Sequence, residues 1–231
     1  MATESYDRRN TNSELPRLLT DLEELNQPSS TEALRAIERI FSGLVDASLD
    51  NETLQYLVCA RAIETISQAI LHPTATSKFI HRGIGCLNEI VDDSIDRSNY
   101  LVQFVGLEGF IDLGVKHKNN PELQTLLLSF FAVLAGSSDR KLLLPFAEHV
   151  LALACDALES HSSKLPQTFQ TACCVILAWG PPPERFADSL VENIPLGLRI
   201  HFNDRDVQDV GKYLLTALVG PVLANHLLVD L

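Results

Sequence analysis

"GLEGFIDLGVKHKNNPELQTLLLSFFAVLAG", residues Gly106 to Gly136, carries two apolar stretches at helical spacing on either side of a polar break. Within "KHKNNPEL", Asn120 is placed to cap the second stretch, and Pro121 suits a first helical position, where no N–H is needed. Gly136 closes that helix. The same order of apolar helix, polar turn, apolar helix and breaker runs from Ala62 to Val91 around "HPTATS". It returns from about Ala147 to Gly180 around "SHSSKLP", and from Ile194 to Gly220 around "FNDRD". Leu87, Phe131, Leu177 and Leu215 hold comparable places in the second helices and recur at a mean of about 43 residues, a helical-repeat period. A single amphipathic hairpin cannot bury both its faces, whereas stacked copies share a continuous core.

Outside these hairpins the pattern stays helical. Leu15, Leu18, Leu19, Leu22 and Leu25 fall on one face, and after "NQPSST" a second helix carries Leu34, Ile37, Ile40, Phe41 and Leu44. Residues 1–13 are polar and without period, which predicts a disordered tail ahead of one helical domain over 14–231. No alternating apolar pattern bounded by hairpin turns occurs, so the predicted class is all-α.

Composition narrows the function. Eighteen Lys and Arg stand against 30 Asp and Glu, a net charge of -12 that opposes binding to nucleic acid or anionic lipid. The five cysteines lie in apolar surroundings without C-x-x-C spacing, as small core residues of a reducing compartment do. The polar N-terminus offers no apolar run for a signal peptide. "LLLPFAEHVLALACDAL" is broken by Pro145, Glu148 and His149, so no membrane span is predicted. A cytoplasmic or nuclear protein is the expectation. Seven histidines are scattered without the i, i+4 pairing of a zinc helix, and no Gly-x-Ser-x-Gly elbow appears. Gly83 and Gly85 fall inside a helical pattern rather than in a phosphate-binding loop. No cofactor, metal or catalytic residue is assigned.

The opening stretch resembles the armadillo repeat, whose units begin on a Gly-Leu-type helix and pass through Val-Gln into an Ala/Leu-rich third helix. Leu123-Gln124, Phe169-Gln170 and Val207-Gln208 stand where that family has Val-Gln, while the first unit has Phe79-Ile80. Residues 15–45 are closer to a two-helix HEAT unit. The resemblance implies a short right-handed α-solenoid of about four to five units, with the third helices lining a concave groove. Peptide-binding members place Trp and Asn four residues apart there. In that register the Trp places hold Gly85, Ser129, Val175 and Tyr213, and the Asn places hold Glu89, Val133, Trp179 and Ala217, so the ladder is missing.

The implied function is a non-enzymatic protein interaction module, an adaptor, scaffold or cochaperone-like subunit. Its candidate partner-binding residues are Trp179, Tyr213, Asp209, Ser129 and Glu89. For Trp179 the competing reading is that its ring packs on Pro181 to Pro183 and closes the helix. A self-associating structural subunit and an enzyme with a hidden site are the alternatives. The last ten residues, "VLANHLLVDL", predict a short helix after Gly220-Pro221. Val222, Leu223, Leu227 and Leu228 would face the last unit as a lid, or offer a homodimer surface.

Overall fold

The computed structural model describes residues 52–92, 94–161 and 164–228, together with Ala33, Arg35, Ala36 and Arg39. The tail expected at 1–13 and most of the two helices expected near the N-terminus lie outside these residues. Among the described residues every regular element is helical, and no strand occurs.

Local chemistry sets the boundaries. In the Gly106–Gly136 hairpin, α4 (Glu108–Lys116) and α5 (Pro121–Ser137) meet at a turn where Asn120 Oδ1 accepts from Leu123 N at 3.2 Å. Pro121 occupies the first turn of α5, as its fixed φ favours. Ahead of this hairpin stand α3 (Ile95–Tyr100) and a π-turn over Leu101–Val105, with α1 (Glu52–Ile70) and α2 (Ser77–Val91) before them. After it come α6 (Arg140–Leu143), α7 (Ala147–His161) and α8 (Pro166–Trp179), then α9 (Ala187–Ile200), α10 (Arg205–Val219) and α11 (Pro221–Leu228). Asp204 caps α10 through Val207 N at 3.1 Å. Gly180 and Gly220 end α8 and α10 at φ 121° and 80°, values that side chains with a Cβ rarely adopt.

The chain divides into two compact units, Met1–Val91 and Asp92–Leu231. In the first, α1 packs on α2 through Ile63, Ile66, Ile70, Phe79, Ile80 and Ile84, all fully buried. Gly83 lets Ile70 approach the α2 backbone. In the second unit, α4 pairs with α5, α7 with α8, and α9 with α10. The first helices α4, α7 and α9 contact one another in series, and so do the second helices α5, α8 and α10. α11 packs on α10.

The second helices share one register. Laying Leu123 on Thr168 brings the buried positions Gln124, Leu127, Leu128, Phe130, Phe131 and Leu134 of α5 onto Phe169, Ala172, Cys173, Val175, Ile176 and Trp179 of α8. Continuing to Val207 brings Gly211, Leu214 and Leu215 of α10 into the same columns. The first helices repeat as well, and His117, His161 and His201 stand at equivalent ends of α4, α7 and α9. Gln124 Nε2 donates to Gly114 O at 2.7 Å, and Gln208 Nε2 donates to Leu198 O at 2.7 Å, the same bond in the first and third hairpins.

The middle hairpin departs from that bond. From the helix-end histidine to this column the middle hairpin spans one residue more, His161 to Phe169 against His117 to Gln124 and His201 to Gln208, and Leu165 provides no side-chain cap, so the column of Gln124 and Gln208 holds Phe169. The expected match of Phe169-Gln170 to Leu123-Gln124 is thereby corrected to Thr168-Phe169. The Phe169 ring lies directly against Gly197 of α9 and Gly211 of α10, where any Cβ would collide with it. Gly197→Ala is therefore expected to destabilise the protein by about 1–3 kcal/mol through overpacking, despite alanine's better helix propensity. Chemical denaturation checks this, and an unchanged or raised midpoint would contradict the fit of Phe169.

Candidate partner-binding face

The common register decides where each expected contact residue points. Ser129 of α5 is half-buried, and its counterparts are Cys174 of α8, also half-buried, and Tyr213 of α10, which is 68% exposed. The next column outward holds Val133, Ala178 and Ala217. The sequence register puts Val175 and Trp179 in these columns, one residue too far along α8, because it aligns the middle hairpin on Gln170. The one-residue offset after His161 moves the surface positions back to Cys174 and Ala178, and Val175 and Trp179 become core.

Trp179 is accordingly 6% exposed. Its Nε1 donates to Phe131 O at 2.9 Å, and its ring meets Phe131 edge-on at 6.1 Å between centroids. An indole held this way packs α8 on α5 and has little free surface for a partner. Tyr213 and Asp209 do lie on one exposed stripe of α10, four residues apart, with Asp209 paired to Arg205 at 3.6 Å. Both partners of that pair are well exposed, so it contributes little to stability. Glu89 is exposed on α2, in the first unit.

The outward side of α5 and α8 is poor in charge. Glu122 is the one Asp, Glu, Lys or Arg in the two helices, although Leu126, Ser129, Cys174, Leu177 and Ala178 are all at least partly open. The first helices differ. Glu108, Asp112 and Lys116 line the open side of α4, Glu148, Asp156 and Glu159 that of α7, and Asp188, Glu192 and Arg199 that of α9. Apolar periodicity locates cores and is silent on this contrast, whose signal lies in what the open positions lack.

Cys86, Cys155, Cys173 and His161 are buried packing groups. Burial pushes Cys86 and Cys155 up to about 12 and raises Cys173 further, and neighbouring acids add to the rise for Cys86 and Cys155. At neutral pH these sulfurs stay protonated. His161 is 3% exposed and its Nε2 lies 2.5 Å from Lys118 O, so the ring joins two successive hairpins. His117 is lowered by desolvation and then by Lys116. No group of three or more His, Cys, Asp or Glu among the described residues could hold a metal ion. No described helix is long and apolar enough to cross a membrane.

At the C-terminus α11 forms after Gly220-Pro221; of the four residues expected to face inward, Leu227 and Leu228 are half-buried and Val222 and Leu223 are turned outward. Val222 and Leu223 are 73% and 50% exposed, while Ala224 is the residue buried against the preceding helix.

No protein-family model, no curated protein and no solved structure matches the chain.

The single tryptophan makes its environment measurable. Trp179 is expected to emit at blue-shifted wavelength and to resist iodide or acrylamide in the native protein, then shift red on denaturation. A quencher-accessible native emission would contradict its placement between α5 and α8.

Proposed function

We propose that this chain is a protein interaction module of armadillo-like, solenoid type, an adaptor, scaffold or cochaperone-like subunit without catalytic activity. The observation carrying this reading is the charge contrast between the two sides of the first two hairpins, α4–α5 and α7–α8. Open helix faces are ordinarily covered with Lys, Glu, Arg and Asp, and depletion of charge marks surfaces that become desolvated in a complex. On this reading the faces of α5, α8 and α10 form the inner side of a stack, Tyr213 is the aromatic anchor and Asp209 a rim charge. Ser129 and Ala178 supply the close-approach surface between them. The series contacts of first helices and of second helices support a stacked array.

Self-association is a second reading, favoured by the exposure of Val222 and Leu223 on α11. A concentration-dependent mass by light scattering, lost in Val222→Asp, would support it.

Affinity capture with mass spectrometry, run in parallel on wild type, Ala178→Arg and Glu192→Lys, tests the main reading. Ala178→Arg places a charge on the open face of α8 and is expected to lose the captured partner at least about tenfold, since a desolvated unpaired charge costs more than the site gains. Glu192→Lys, on the first-helix side, is expected to retain it. Equal capture by all three proteins would refute the assignment of the face.

A further inference from the structure

Between the first and second hairpins lies a cavity of about 320 Å³ for which the interaction reading has no use. Its apolar walls are Val115, Leu153 and Ala157, and its polar walls are Lys118, Gln124, Asp156 and Ser160. The next joint along is packed differently at the equivalent positions. There Phe169 stands in the column of Gln124, Gly197 stands in the column of Ala157, and the ring fills the gap. The first joint thus keeps a carboxamide where its neighbour has an aromatic plug. Gln124 is 3% exposed and spends its N–H on Gly114 O. A buried amide beside unfilled space costs stability compared with the packed alternative.

The cavity is lined by one basic and one acidic side chain. Lys118 and Asp156 line the same space, yet no ion pair joins them. Desolvation, followed by the nearby Glu159, raises the Asp156 carboxyl above its usual range, with Arg185 and Lys118 opposing. A cation alone would face the Lys118 ammonium, and an anion alone would face the Asp156 carboxylate. A molecule with both charges satisfies both walls. A volume near the lower end of small-molecule sites, ~300–1,000 Å³, suits a ligand of amino-acid size.

We propose that the cavity between α4, the α4–α5 turn and α7 binds a free aliphatic α-amino acid, its ammonium on Asp156, its carboxylate on Lys118 and its side chain against Val115, Leu153 and Ala157. Ser160 adds a hydroxyl partner beside the charged end. The walls come mainly from the first-helix side, so the site is separate from the uncharged face of α5 and α8. Ligation here ties the α4–α5 turn to α7 alongside the His161–Lys118 contact.

Titration of the full chain with L-leucine, followed by calorimetry and by the side-chain amide resonances of Gln124, tests the site. Saturable one-to-one binding that shifts Gln124 is expected. Leucinamide lacks the carboxylate and isovalerate lacks the ammonium, so each should bind at least about tenfold more weakly. Asp156→Asn and Lys118→Gln alter exposed side chains and are expected to keep the native melting temperature while losing leucine by a similar factor. Absence of any saturable shift would overturn the proposal. Leucinamide or isovalerate binding as well as leucine, or either variant binding leucine as wild type does, would also overturn it.

Discussion

The indole of Trp179 reaches across from α8, donates its N–H to the carbonyl of Phe131 on α5 and sets its ring edge-on to the Phe131 ring. Two constraints act together. The hydrogen bond fixes how far α8 can slide along α5, and the ring contact fixes its rotation. With both set, Val175 and Ile176 fall into the columns of Phe130 and Phe131, and Cys174 and Ala178 face outward. Phe169, near the other end of the same helix, then presses on Gly197 and Gly211 and carries the register to α9 and α10. The side-chain bonds of Gln124 and Gln208 tie each outer hairpin to itself, and the His161 ring and the Thr125–Thr168 hydroxyl pair join the first to the second.

Much of this is legible in the chain. Helices form because apolar residues recur every three to four positions, and the turns are marked because Asn120-Pro121 begins α5 and Asp204 begins α10. The repeat itself is visible in the spacing of Leu87, Phe131 and Leu215. The slip of one residue in α8 is not. Gln170 offers a partner for Gln124 and Gln208, and the uncapped helix start at Leu165 gives no local sign of where the helix is phased. That slip misplaces Trp179 while leaving Ser129, Tyr213, Asp209 and Glu89 on open positions. The orientation of α11 is also hidden, because a helix with leucines on several sides has no single apolar face to read. The cavity beside Gln124 emerges only when α4, α5 and α7 are brought together in space.

A coherent division of labour comes from one stacked register. The second helices α5 and α8 contribute an open side almost without charge, and the first helices contribute a charged side with a mixed-charge cavity between Lys118 and Asp156. The proposed partner face draws on small residues that let another backbone come close, with Tyr213 as its large exposed ring. In this account Trp179 has a structural part in recognition: it holds α5 and α8 in the phase that turns Ser129, Cys174 and Ala178 to the same side.

The shared register of α5 and α8 is the claim on which the rest stands, and a double-mutant cycle on Phe131 and Trp179 measures it most directly. Phe131→Leu, Trp179→Leu and the double variant are compared by denaturant unfolding. The two rings are predicted to couple by about 0.5–1.5 kcal/mol beyond the sum of their separate effects. Strict additivity would mean that the rings do not meet, and would contradict the packing of α8 on α5.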